Sequence, residues 1–401
     1  MLSSRGLVST AVRRIGTEGG QWNIRWASTI TVPNVDIAAF RKAGTGDSVR
    51  NDIVAAVKEA ATSHGVFAIS GGVSWNHYYG AFGAAKEMMS HPLEVKKDFP
   101  STKKGGFVRG YIGEGEESGS ERYELKEGFS YGYEWNSFIR PTNPLQGMNA
   151  WPDKKYFSEA SRTTFQTLFK SFVSASNDTA RILALALGKE EDLLTRHTSA
   201  GDTISLMRLF HYFANTRTPS TTTTASEIIG SSPHTDWGFL TLILQEHGSE
   251  GLQLFHEGEY KDIKVSEEVI GAPAPGDSSS NKAGRPRSPP LLVNCGDYLS
   301  IVSGGELKSP LHRVNLTNRA RMSFVFFAYP DYNSTIKPVH EVDKTTLSLL
   351  QQQALESQPA DGAYGGGSEA EHKKTVEDLL QGKLAFGEFI TRKWEQVTRK
   401  V

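Results

Sequence analysis

His234-Thr235-Asp236-Trp237-Gly238-Phe239-Leu240-Thr241-Leu242, answered far downstream by Ser309-Pro310-Leu311-His312-Arg313-Val314, decides how this chain is read. Both segments run into β-type sequence, Leu240 to Leu244 after the first and His312 to Leu316 in the second. Alternate side chains of an extended strand share a face, so His234 and Asp236 are expected to point the same way. A second strand is expected to bring His312 in from the side. Two imidazoles and one carboxylate can hold one face of an octahedral Fe(II) ion and leave the opposite face open for chemistry. A His-x-Asp triplet alone says little, because a surface histidine near an aspartate is commoner than a ligand pair. The surroundings add weight. Asn294-Cys295-Gly296-Asp297-Tyr298-Leu299 reads as strand, Gly-Asp turn and strand, with a further turn at Ser303-Gly304-Gly305. His312 is therefore expected to emerge from a hairpin positioned by backbone hydrogen bonds.

Arg321-Met322-Ser323 opens the apolar run Phe324-Val325-Phe326-Phe327. Strand alternation places Arg321 and Ser323 on one face and turns Met322 away. A guanidinium fork beside a hydroxyl is a clamp for a carboxylate. Tyr212, in Arg208-Leu209-Phe210-His211-Tyr212-Phe213, is a candidate to offer its phenol to the same carboxylate, and His211 reads as core or as support behind the site. Three protein ligands leave three positions on the ion, enough for a bidentate 2-oxo acid and O2. Such chemistry needs a largely apolar cage to keep water from the oxidant, with Phe239, Leu242, Phe324 and Phe326 as candidates. No catalytic residue is assigned beyond the three ligands. His64, His77, His91, His197, His247 and His256 have no partner at ligand spacing and read as structural.

The bulk numbers exclude several classes. With 44 basic and 45 acidic residues the net charge is -1, so no global field recruits nucleic acid or an anionic membrane. No apolar run approaches a membrane span. One cysteine, Cys295, cannot form an internal disulfide, which favours a reducing compartment. Residues 1–30 are acid-poor and carry Arg5, Arg13, Arg14 and Arg25 among Ser and Thr, a composition expected of a mitochondrial targeting segment; otherwise a cytoplasmic location is expected.

Folded sequence is expected from Ile30-Thr31-Val32-Pro33 onward. Helices are predicted over Val49 to Thr62 and from near Trp75 to Met89, with a buried strand at Gly65 to Ser70 between them. Gly105 to Ser120, rich in Gly and Glu, reads as a loop or extended segment. Phe157 to Leu187 carries Phe165, Leu168, Phe169 and Phe172 at helical spacing, a stripe expected to pack in the core. From Thr203 to Tyr329 short β-type runs alternate with turns, interrupted by a Pro- and Ser-rich insertion at 271–290 that reads as a disordered surface loop. A helical tail follows, with a Gly-rich break at Gly362 to Gly367 and a last amphipathic stretch from Thr375 to Val397.

On these motifs the chain resembles the isopenicillin N synthase-like branch of the Fe(II)/2-oxoglutarate-dependent dioxygenases, from Val32 to about Tyr332. The two histidine segments, Gly251-Leu252-Gln253-Leu254 and Arg321-Met322-Ser323 carry the core of the likeness. Val32-Pro33-Asn34-Val35-Asp36, Gly65-Val66-Phe67, Leu93-Glu94-Val95-Lys96-Lys97 and Leu125-Lys126-Glu127-Gly128-Phe129 extend it upstream. The resemblance implies an α+β, mainly β fold: a double-stranded β-helix (jelly-roll) core flanked by helices, with a helical N-terminal domain and iron at the barrel mouth. It divides the chain into a 31–150 N-terminal domain, a 151–200 joining helix, a 201–335 jelly roll and a 336–401 helical segment. It implies Fe(II) on His234, Asp236 and His312. It further implies 2-oxoglutarate held by Arg321 and Ser323, with Tyr212 less securely placed because Phe210 replaces the family's common Asn. Ascorbate is a candidate reductant, and O2 and a small organic molecule are the reaction partners. The expected activity is hydroxylation or desaturation with decarboxylation of 2-oxoglutarate to succinate. An iron oxidase that needs no 2-oxo acid and a non-catalytic jelly-roll binding module are the alternatives. Substrate and oligomeric state are not read from the sequence, and the last helix is expected to pack either on its own barrel or on a second copy.

Overall fold

A computed structural model describes residues 11–13, 25–44, 46–104, 107–116, 122–135, 141–198, 203–215, 228–272, 288–356 and 369–398. Among these, thirteen strands hydrogen-bond into one mixed sheet that forms the jelly-roll core. One end of the sheet is Ser231–His234, paired antiparallel with His312–Val314, which pairs in turn with Leu252–His256. The order continues through Glu259–Ile270, Thr29–Asp36, Val66–Ser70, Leu291–Cys295 and Leu240–Gln245. It then passes through Arg321–Ala328, Leu206–Tyr212, Lys126–Gly132 and Phe107–Ile112 to end at Ser101–Lys104. The N-terminal strand Thr29–Asp36 lies parallel to both of its neighbours, with Val32 beside Val265 and Val35 beside Ile69. The N-terminal segment therefore shares its sheet with the iron-motif strands. A separate two-stranded pair joins Ala11–Arg13 to Arg25–Ala27.

Strand alternation sorts the apolar residues into two layers. Val32, Phe210, Tyr212, Ile243, Leu252, Val314 and Val325 point into the barrel. Leu209, Leu242, Leu244, Phe324 and Phe326 point outward, where helices cover them. The long helix Glu159–Ala186 supplies most of that cover. Ser158 caps it by accepting from the Ser161 N–H at 3.2 Å, and its stripe of Phe165, Leu168, Phe169 and Phe172 is buried as the spacing predicts. Phe165 meets Phe324 edge-on with ring centroids 5.2 Å apart, and Phe169 meets Phe326 at 5.3 Å. This overturns one expectation: Phe239, Leu242, Phe324 and Phe326 belong to the helix-facing core and do not line the interior. The inward positions on these strands are Ile243, Val325 and Phe327.

Helices Ser48–Ser63 and Trp75–Met89 and the strand Val66–Ser70 lie where the periodicity puts them. Two elements differ. Asp297–Val302 is a short helix, not a second strand, closed by Ser300 N–H donating to Gly296 C=O at 2.9 Å. Tyr298, Leu299, Ile301 and Val302 are all buried, and a fully enclosed apolar run carries no period that separates strand from helix. The tail opens with the helix Lys344–Glu356, and its last amphipathic stretch is two helices, Glu369–Leu380 and Phe386–Thr398, parted at Gly382 with φ +66°. Residues 273–287 of the Pro-rich insertion and the Gly362 to Gly367 break lie outside the described residues. Phe386–Thr398 packs on its own barrel, with Trp394 5.2 Å from Phe107 and 5.4 Å from Trp237 between ring centroids. No helix among the described residues is long and apolar enough to cross a membrane.

Candidate metal and cosubstrate site

His234 ends its strand, and Asp236 lies in the short connection to Leu240–Gln245 instead of in continuous strand. The shared face expected of an extended strand is nevertheless reached through cross-strand pairing: His234 lies directly opposite His312. Ligand atoms of His234, Asp236 and His312 all fall within 4.8 Å of one another. The two Nε2 atoms stand 3.9 and 3.8 Å from separate oxygens of Asp236, too far for hydrogen bonds and close enough to share one ion.

Each imidazole is oriented from behind. His234 Nδ1 lies 2.7 Å from Ser232 C=O, and His312 Nδ1 lies 3.0 Å from Pro310 C=O. A carbonyl only accepts, so both Nδ1 atoms carry the proton and both Nε2 lone pairs face Asp236. Burial, with His312 alongside, pushes His234 down to about 4, which keeps the ring neutral as a ligand must be. Asn294 donates to Asp236 Oδ2 at 3.2 Å and fixes the carboxylate. Thr235 and Ser309 both donate to Asp297, at 3.1 and 2.6 Å, and Asp297 N–H donates to Asp236 C=O at 2.8 Å. The helix start is thereby locked under the ligand segment. Gly296 is needed for this fit, since a Cβ there would sit 2.2 Å from Gly238 C=O. Cys295, the residue before, is fully buried and its thiol is pushed up to about 12 by burial.

The clamp lies across the barrel. Arg321 and Ser323 point inward from one strand, and Tyr212 sits opposite Arg321 on the next. The guanidinium stacks on the Tyr212 ring at 4.6 Å and donates to Gln245 Oε1 at 2.7 Å. Its Nε is buried with no hydrogen-bond partner, an orphaned donor that a ligand carboxylate would satisfy. Burial lowers the Arg321 pKa and raises that of Tyr212, whose hydroxyl also bonds to Ser323. Ligand cluster and clamp open into one cleft of about 870 Å³, counting its open mouth. The residues present therefore fit a divalent iron and a dicarboxylate.

Sequence reasoning missed Arg208 and Trp394, both of which line this cleft. Arg208 has the same strand parity as Tyr212, so alternation alone would have found it. Trp394 arrives from the last helix, and no local signal announces that. His211, facing away, lies 2.9 Å from Glu127, which also holds Lys96 and Tyr111. The histidines read as structural stay apart from the cluster; His91, for example, lies 2.8 Å from Tyr156 C=O.

Comparison with known proteins agrees with this geometry. Residues 32–154 match the family described as non-haem dioxygenase in morphine synthesis N-terminal, and residues 276–330 match the 2OG-Fe(II) oxygenase superfamily. A 2-oxoglutarate-dependent dioxygenase of Didymella fabae is 30% identical over 313 residues, covering 75% of this chain and 86% of that protein. An isopenicillin N synthase of Penicillium rubens is 28% identical over 206 residues, 50% of this chain and 54% of the other. Among solved structures, a Neurospora crassa protein in complex with alpha-KG and 5-formyluracil superposes with a TM-score of 0.60 at 18% identity, over 92% of this chain and 99% of that one. The chain belongs to the 2-oxoglutarate- and Fe(II)-dependent dioxygenases.

Proposed function

We propose that His234, Asp236 and His312 hold the catalytic Fe(II) and that Arg321, Ser323 and Tyr212 hold the far carboxylate of 2-oxoglutarate. The enzyme is an Fe(II)/2-oxoglutarate oxygenase acting on small organic molecules. When bound, the iron supplies O2 activation, coupling decarboxylation of 2-oxoglutarate to succinate with oxidation of a substrate C–H bond. The protein's own part is positional. Backbone carbonyls of Ser232 and Pro310 aim two imidazoles, Asn294 aims the carboxylate, and a buried Arg–Tyr–Ser set orients the cosubstrate across the barrel. Phe210, Ile243, Val325 and Phe327 line the interior and exclude water.

The convergence of three ligand atoms within 4.8 Å, opposite an arginine with an unsatisfied buried Nε, carries this reading. The test is O2 uptake by the iron-loaded protein with and without 2-oxoglutarate, with succinate measured. Uptake that depends on 2-oxoglutarate and yields succinate is expected. Uptake without it would favour the isopenicillin N synthase-type alternative. Arg321→Ala should raise the 2-oxoglutarate KM by about 10–100-fold, the loss of one charge-assisted contact, with the metal still bound. An unchanged KM would remove Arg321 from the clamp.

A further inference from the structure

Besides Arg321 and Lys126, whose ammonium pairs with Glu124, the cleft is lined by a third buried cation, Arg208. Arg208 is 4% exposed, lines the cavity, and pairs across the sheet with Val325, four residues along from Arg321. At about 3.3 Å per strand residue the two backbone positions are roughly 13 Å apart, and the Arg321 guanidinium lies over Tyr212. Arg208 stacks over Trp394 at 5.1 Å. Trp394 meets Trp237, the residue after ligand Asp236, and Tyr329 completes the wall with its ring against Gly238. Lys393, beside Trp394, is buried facing Asp297, which seats the last helix against the segment beneath the ligands.

We propose that Arg208 and Trp394 form the substrate subsite, and that it takes a flat aromatic or conjugated carboxylic acid. The carboxylate pairs with Arg208, and the π-face lies among Trp394, Trp237 and Tyr329, beside the ligand cluster. A guanidinium in a low-dielectric cavity discriminates strongly between an anion and its neutral isostere. Aromatic walls favour a planar body over a flexible chain of similar polarity. The inference rests on the proposed function, in which Arg321 holds 2-oxoglutarate.

The experiment is anaerobic calorimetry on the full chain loaded with Fe(II) and saturated with 2-oxoglutarate, using trans-cinnamate, cinnamamide and hexanoate as probes. Cinnamate should bind at least about tenfold more tightly than either other probe. Arg208→Gln should erase the acid-over-amide preference and Arg208→Lys should restore part of it. Trp394→Leu should erase the cinnamate-over-hexanoate preference. Neither change should move the 2-oxoglutarate Kd. Equal binding of cinnamate and cinnamamide by the unaltered protein overturns the proposal without any variant having to fold. So does undiminished acid preference in Arg208→Gln. If 2-oxoglutarate binds normally and cinnamate does not, the subsite alone falls. If 2-oxoglutarate fails to bind, the cosubstrate assignment fails first.

Discussion

At the level of single residues, the ligands and the groups that aim them make separable contributions. His312→Ala should abolish turnover and iron retention, since two ligands cannot hold the ion against water. Asn294→Ala leaves all three ligands in place and removes only the donor to Asp236. Loss of such a supporting contact typically weakens metal binding by about 10–100-fold, measurable by competition with a chelator. Wild-type affinity in that variant would show that the 3.2 Å contact does not orient the carboxylate. The ligands and the Arg-x-Ser pair are readable in the sequence because their spacing and strand context constrain them. Asn294 and Asp297 sit within the same motif, yet their roles depend on contacts across the chain that spacing does not encode. The apolar cage read from the sequence is one residue out of phase at Phe324 and Phe326, and in a strand such a shift moves every side chain to the opposite face.

Elements carry a different kind of constraint. Leu291–Cys295 and the helix Asp297–Val302 meet at Gly296, pressed against Gly238 C=O. Gly296→Ala should lower the thermal midpoint and weaken iron binding together, because the displaced backbone belongs to the ligand segment. Destabilisation of about 1–3 kcal/mol is expected from forced backbone movement of this kind. A stable variant with intact metal affinity would mean the turn relaxes without cost. Elements with a clean period, such as Trp75–Met89 and Glu159–Ala186, are predictable nearly to the residue. Asp297–Val302 is not, because burial on every side hides the helical repeat.

For the whole molecule, acid should act through half-buried histidines. Burial, with His256 nearby, pushes His64 down to about 4, and His234 falls equally far. The native state keeps these rings neutral, while the unfolded chain takes up their protons near the ordinary value of 6.5. Their contribution is thus complete above about 6.5 and declines as pH falls toward 4. The melting temperature of metal-free protein should drop across that window, and His64→Gln should flatten the drop. An unaltered slope would place the acid sensitivity elsewhere. The sealed position of Cys295 has a practical corollary. The chain offers a single sulfhydryl, held protonated in the barrel wall behind the metal segment, so iodoacetamide can reach it only when that wall opens. Alkylation kinetics therefore time the opening of the catalytic core, and iron and 2-oxoglutarate should each slow the clock.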